Sequence, residues 1–339
     1  MKNKHSMHKL LLPGTALLAL LMLTACERPP IDAQQTGYRG TAMADINNPR
    51  TEVKTAAANQ VPDPLPLAPA AGPKARDIYQ NVEVLGDLSV GQFARVMAAM
   101  TAWVSPEQGC NYCHLGENLA SDDLYTKRVS RRMLQMTQDI NSNWDQHVAN
   151  TGVTCYTCHR GNNVPSEIWF TGDSPAASAS MAGYTAGQNV PAPAAAYASL
   201  PADPFTGYLT QGDEPIRVQT GALSDQDNYI TIQQTEKTYG LMMHMSDSLG
   251  ANCTLCHNSA SWGNWSTSNP QRVTAWHGIQ MVKALNENYL SPLQPEYPDY
   301  RLGSLGDAPK ANCATCHQGV QKPLYGVSML PDYPSLAGD

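Results

Sequence analysis

Cys253-Thr254-Leu255-Cys256-His257 sets two thiols three residues apart and puts an imidazole directly after the second. The arrangement recurs at Cys110, Cys113 and His114, at Cys155, Cys158 and His159, and at Cys313, Cys316 and His317. This is the spacing for c-type haem attachment. Two cysteines so separated reach the two vinyl groups of one porphyrin as thioethers, and the adjacent histidine falls on the iron as proximal ligand. Thioredoxin-like redox pairs and zinc sites also use CxxC. Neither needs a histidine at the next position, and no βαβ pattern surrounds any of the four. The motifs predict four covalently bound haem c groups.

The chain opens on Lys2, Lys4 and Lys9, runs apolar from Leu10 to Leu23 and closes on Thr24-Ala25-Cys26. Residues 1–25 read as a secretory signal, too short for an ordinary spanning helix. Leu23-Thr24-Ala25-Cys26 resembles the bacterial lipobox, in which the cysteine is acylated and becomes the mature N-terminus; an uncleaved anchor is the alternative. Several acyl chains exceed the marginal hold of one, so the folded part is expected at the periplasmic face of the inner membrane. Nine cysteines less the eight in the motifs leave Cys26 alone, and no disulfide is expected. Without residues 1–25 the chain has 19 basic and 29 acidic residues, a net of −10. That balance argues against nucleic acid and for a partner with a basic face. Phe occurs three times against 25 Gly and 25 Pro. Porphyrin is expected to supply the missing aromatic bulk, so the chain should fold poorly without it.

The fold expected is mainly α with extensive irregular loops, in two halves related by an approximate twofold, each holding two haems. Residues 26–75, polar and then proline-rich, read as an extended tether. The first half, residues 76–170, has a helical stripe from Val90 to Val104 ended by Ser105-Pro106, then the first motif. A second helix is predicted from an N-cap in Ser121-Asp122-Asp123 to about Ile140. Residues 171–225, rich in Ala, Ser, Pro and Gly, read as a surface connection. The second half, residues 226–339, has a helix from about Tyr229 to Leu249 before the third motif and another from Asn269-Pro270 to about Asn288. Arg128-Val129-Ser130 with Met133 and Met136 is echoed by Arg272-Val273-Thr274 with His277 and Met281, the mark of an internal duplication.

Electron carriers usually fill both axial positions of the iron, and thioether sulfur raises the potential relative to a second histidine. Met97 or Met100 is the distal candidate for the first motif, Met133 or Met136 for the second, and Met242, Met243 or Met245 for the third. No Met or His lies between Ser291 and Ala311, so the fourth ligand comes from farther away: His147, His244, His277 or Met281. The repeat alone favours His277, which aligns with Met133.

The four motifs, the lipobox, the Met-bearing helices ahead of three of them, and the run from Glu236 to Asn258 resemble the tetrahaem cytochrome subunit of purple-bacterial photosynthetic reaction centres. The likeness covers roughly Tyr79 to Gln318, and the stretch after Gly172 matches poorly. In that family the distal methionines precede their proximal histidines by 17, 26 and 15 residues, offsets that fall on Met97, Met133 and Met242. Its fourth haem takes a histidine from the loop before the second motif, which corresponds to His147. The resemblance implies an electron-transfer subunit, not an enzyme, that re-reduces the photo-oxidised special pair through a near-linear row of haems. Its implied partners are the L and M type reaction-centre subunits and a soluble c-type cytochrome or high-potential iron-sulfur protein. The rivals are a periplasmic electron shuttle and a respiratory multihaem oxidoreductase, whose active haem would have an open or lysine-filled axial position.

Overall fold

The computed structural model describes residues 31–37, 43–172, 191–212, 214–218 and 230–338. Cys26 and the segment expected to be a signal lie outside them. About half of the structure is helical, the rest being irregular loops and one two-stranded sheet. β1 (Asp32–Gln35) pairs antiparallel with β2 (Ala44–Asn47), and α1 (Pro49–Ala58) follows, capped by Asn48. This part of the predicted tether therefore has regular structure, whereas the proline run after it has none.

α2 (Val90–Val104) begins at a capping box in which Ser89 and Gln92 bond reciprocally, and it ends at Ser105, as its apolar stripe predicts. α3 (Tyr125–Asn143) starts later than predicted. The Ser121 hydroxyl donates to Asp123 and accepts from the Asp123 amide, which closes a local turn in place of a helix cap. α4 (Asp145–Val148) is a single turn carrying His147. The second motif forms α5 (Cys155–His159), and the fourth forms α8 (Cys313–His317). Between them α6 (Ile232–Leu249) starts at a Thr231 capping box, and α7 (Pro270–Leu285) has proline at its first position.

Two clusters of buried side chains hold these elements. One joins Val96, Ala99 and Trp103 of α2 to Leu134 of α3 and to Leu324, Tyr333 and Leu336 near the C-terminus. The C-terminal segment thus packs beside α2, far from its sequence neighbours. The other joins Leu241 of α6 and Ile279, Val282 and Leu285 of α7 to Trp169, Phe205, Tyr208 and Leu209. The stretch predicted as a surface connection accordingly sends three side chains into the core. Its alanine-rich composition hid the short run Phe205-Thr206-Gly207-Tyr208-Leu209, whose apolar area is worth more buried than exposed. Residues 173–190, 213 and 219–225 of that stretch lie outside the description.

Asn286 ties this core to the fourth motif. It is 1% exposed; its amide donates to the Leu209 and Ala311 carbonyls at 2.8 and 3.0 Å, and its carbonyl accepts from the Ala311 amide at 2.8 Å. Asn286→Ala strands the Leu209 carbonyl and the Ala311 amide, at ~1–3 kcal/mol each, while the Ala311 carbonyl keeps the Trp169 indole N–H at 3.0 Å. The haem-loaded variant should melt several degrees below the parent, a difference that calorimetry reads directly.

Candidate haem sites

At every motif the histidine is oriented by a backbone carbonyl. His114 Nδ1 lies 2.9 Å from the Leu119 oxygen and His257 Nδ1 3.0 Å from that of Trp262, each five residues on. His159 Nδ1 lies 2.9 Å from the Asn162 oxygen and His317 Nδ1 3.1 Å from that of Val320, each three residues on. An Nδ1–H donating to a carbonyl fixes the tautomer and leaves the Nε2 lone pair for a metal. Burial depresses the basicity of His159, His257 and His317 alike, the last to about 4. The rings are therefore neutral at pH 7, as ligation requires.

The motifs come in two kinds. The first and third are short 3₁₀ turns, Gly109–Tyr112 and Cys253–Leu255. The second and fourth are single α-turns with a polar cap, Thr154 or Asn312, and a left-handed residue after the histidine, Arg160 or Gln318. In both α-turn motifs the following glycine amide bonds back to a helix end: Gly161 to the Trp103 oxygen and Gly319 to the Ser248 oxygen, each at 2.8 Å. The second motif is thereby fastened to α2 and the fourth to α6. α5 and α8 also touch each other.

A cavity of about 750 Å³ runs among these elements, and its wall includes motif residues of all four sites. Its size suits a cofactor pocket. Burial pushes the Cys155 and Cys313 thiols up to about 12, so these sulfurs favour an uncharged form, which a thioether is. Donor set, tautomers and cavity all fit covalently held haem.

Among the predicted distal residues, Met97 and Met100 of α2 and Met133 and Met136 of α3 line this cavity. The hydroxyls of Thr101 and Thr137 donate to the carbonyls of Met97 and Met133, one turn back, each at 2.9 Å. Thr101 also lies 3.9 Å from the Cys110 sulfur, so the Met97 turn sits at the first motif. On α6, Met245 faces the cavity, whereas the partly buried Met242 packs against the α6–α7 core. Met243 is partly buried, and Met281 of α7 lines the cavity from within the same core.

The histidines separate clearly. His147 lies on the cavity wall with its Nδ1 2.9 Å from the Thr274 oxygen, and its ring centre is 6.0 Å from that of His317. Two imidazoles on opposite sides of one metal stand apart by two ~2 Å metal–nitrogen bonds plus a ring width, which is this spacing. His244 is buried off the cavity, against Phe205 and Ser248. His277 does not reach the cavity wall.

Cys158 and Cys316, the second cysteines of the second and fourth motifs, stand side by side, with Cα atoms 4.6 Å apart. The contact of α5 with α8 brings them face to face, a proximity that spacing within either motif cannot reveal.

The family described as photosynthetic reaction centre cytochrome C subunit matches residues 27–337. The chain belongs to that family. It is 53% identical to the photosynthetic reaction center cytochrome c subunit of Rubrivivax gelatinosus over 95% of this chain and 87% of that one. The subunits of Thermochromatium tepidum and Roseobacter denitrificans are 49% and 44% identical, over 97% and 96% of this chain and 80% and 91% of theirs. As a cytochrome c subunit the chain carries covalently bound haem c.

Residues that no motif announces support the sites of this cytochrome. Lys127, 8% exposed, donates to the carbonyls of Leu119, Ala120 and Ser121 at 2.9, 2.7 and 3.0 Å. The first of these is the carbonyl that orients His114. Asp122 completes the corner, its carboxyl held well below the usual range chiefly by Arg131. At the third site Arg272 plays the matching part. It lies 4.0 Å over the Trp265 ring and 2.8 Å from the Ser268 hydroxyl, in the loop that presents the Trp262 carbonyl to His257. Lys127→Ala should leave all haems attached but shift the midpoint potential at the first site alone, by redox titration of the purified protein. A shift spread over several haems would show that Lys127 does not act through His114.

Proposed function

We propose that this chain is the tetrahaem electron donor of a photosynthetic reaction centre, taking electrons from a soluble periplasmic carrier and passing them to the photo-oxidised special pair. It is an electron-transfer subunit and not an enzyme. Family membership across residues 27–337 is the observation that carries the reading. Association with the reaction centre, and through it with the membrane, follows from membership. Among the described residues no helix is long and apolar enough to cross a bilayer, and our assignment of the anchor is a lipid on Cys26. The L and M type subunits are the assigned docking partners, and a basic c-type cytochrome or a high-potential iron-sulfur protein is the assigned donor.

When bound, haem c supplies one-electron chemistry between Fe(II) and Fe(III). The residues we assign to hold it are the eight motif cysteines as thioethers and His114, His159, His257 and His317 as proximal ligands. Met97, Met133, Met242 and His147 are assigned as distal ligands. For Met97 the support is the Thr101 bridge to the first motif; for His147 it is the 6.0 Å approach to His317. Three thioether ligands favour higher potentials and the paired imidazoles a lower one. With these residues as ligands no position would remain for water or a small substrate, which disfavours an oxidoreductase.

An order of sites is part of the proposal. α2 packs on α5, α5 on α8, and α8 on α6, so neighbours run first, second, fourth, third. The approximate twofold relates first to third and second to fourth. β2 bonds to the third motif's turn, the Ile46 amide to Asn252 at 3.0 Å and the Thr254 hydroxyl to the Ala44 carbonyl at 2.7 Å. From Cys26 to Ile31 the chain spans at most about 18 Å. A lipid at Cys26 thus holds the third site toward the membrane.

Two experiments test the reading. After a brief flash on intact membranes, haem oxidation should appear as the special pair recovers; haems that stay reduced while it recovers by another route would end the assignment. Met97→Leu should leave the first haem attached and lower its midpoint potential, whereas an unchanged potential would make Met100 the ligand.

A further inference from the structure

His147 reaches its place only because α7 has no side chain at Gly278. A Cβ built there falls 2.5 Å from His147 Cε1, 2.8 Å from Nδ1 and 3.1 Å from Nε2. Three ring atoms lie within that reach, so turning the imidazole about its own axis does not relieve the contact. The ring cannot slide along the helix either, since its Nδ1 is tied at 2.9 Å to the carbonyl of Thr274, one turn earlier. On the cavity side stands the ring of His317, with 6.0 Å between centres. The loop has little slack. α4 ends at Ala149 with φ +46° and ψ −148°, a conformation that residues with a side chain seldom adopt.

Gly278 is not explained by backbone freedom. It is buried inside the regular helix Pro270–Leu285, and no positive φ requires a glycine there. Glycine in a helix interior is less favourable than alanine. A close approach of another group is the physical reason for accepting that cost.

We infer that Gly278 is a positioning residue for the fourth haem: it opens the notch in α7 that lets His147 stand opposite His317 at ligand distance. The inference rests on the assignment of His147 and His317 to one iron. The mutation that tests it favours the helix that carries it. Gly278→Ala strengthens α7 as a helix while its methyl pushes the imidazole off the Thr274 carbonyl.

The experiment uses the full haem-loaded protein in four forms: parent, Gly278→Ala, His147→Ala, and the double variant. In Gly278→Ala the bis-imidazole signal in electron paramagnetic resonance should be lost, and the lowest of the midpoint potentials should rise, with haem content and the other potentials unchanged. His147→Ala should give the same losses, and the double variant should match it in spectrum and melt no lower, because the methyl then has room. If His147→Ala leaves the bis-imidazole signal intact, the ligand assignment itself has failed. If His147→Ala removes the signal but Gly278→Ala does not, the positioning role is overturned. A double variant less stable than His147→Ala, or one that does not fold, also overturns it, since the methyl would then clash with something other than the imidazole. Recovery of folding in the double variant, where Gly278→Ala alone does not fold, supports it.

Discussion

The hydrogen bond from an imidazole Nδ1–H to a backbone carbonyl is the interaction on which these sites depend. A histidine next to a CxxC can turn either nitrogen toward a porphyrin and can hold a proton on both. The bond to Leu119, Asn162, Trp262 or Val320 fixes one tautomer and one ring direction, and burial lowers the basicity of His159, His257 and His317. His147 obeys the same rule through Thr274, from a different element. Much of the irregular structure follows. The loops after the first and third motifs exist to return a carbonyl five residues later, and Lys127 and Arg272 hold those loops in shape.

The helices have a second task, to set the motifs against one another. The glycines after the second and fourth histidines bond to the last turns of α2 and α6, so each α-turn motif is locked to the helix preceding the motif before it. Contact between α5 and α8 then brings the two fastened pairs together. Electron transfer between haems requires short separations, and here backbone bonds that tolerate little displacement hold the motifs close together. Core side chains fill the remaining space, including Phe205, Tyr208 and Leu209 from a stretch of otherwise low complexity.

What could be read from the chain divides along local and non-local lines. The motifs, the α2 boundaries and the Asn269-Pro270 helix start are written in neighbouring residues, and they stand where spacing and capping put them. The start of α3 was misjudged because a Ser-Asp-Asp run serves a turn as readily as a cap. His147, His244 and His277 were indistinguishable by spacing. Only folding shows one facing His317, one sealed beneath Phe205 and one away from the cavity. Cys158 and Cys316 sit 158 residues apart, so their proximity had no local signature. Gly278 did have a signal, a glycine inside a strongly predicted helix, but the partner that explains it comes from another part of the chain.

The central claim is that this one polypeptide fixes a haem through sulfur at each of four stations. Alkaline pyridine spectra of the matured protein, referred to protein concentration from amino-acid analysis, measure this directly. The account predicts four haems per chain that survive acid-acetone extraction, including those at the motifs of Cys158 and Cys316. A count below four, or haem that the solvent removes, would contradict it.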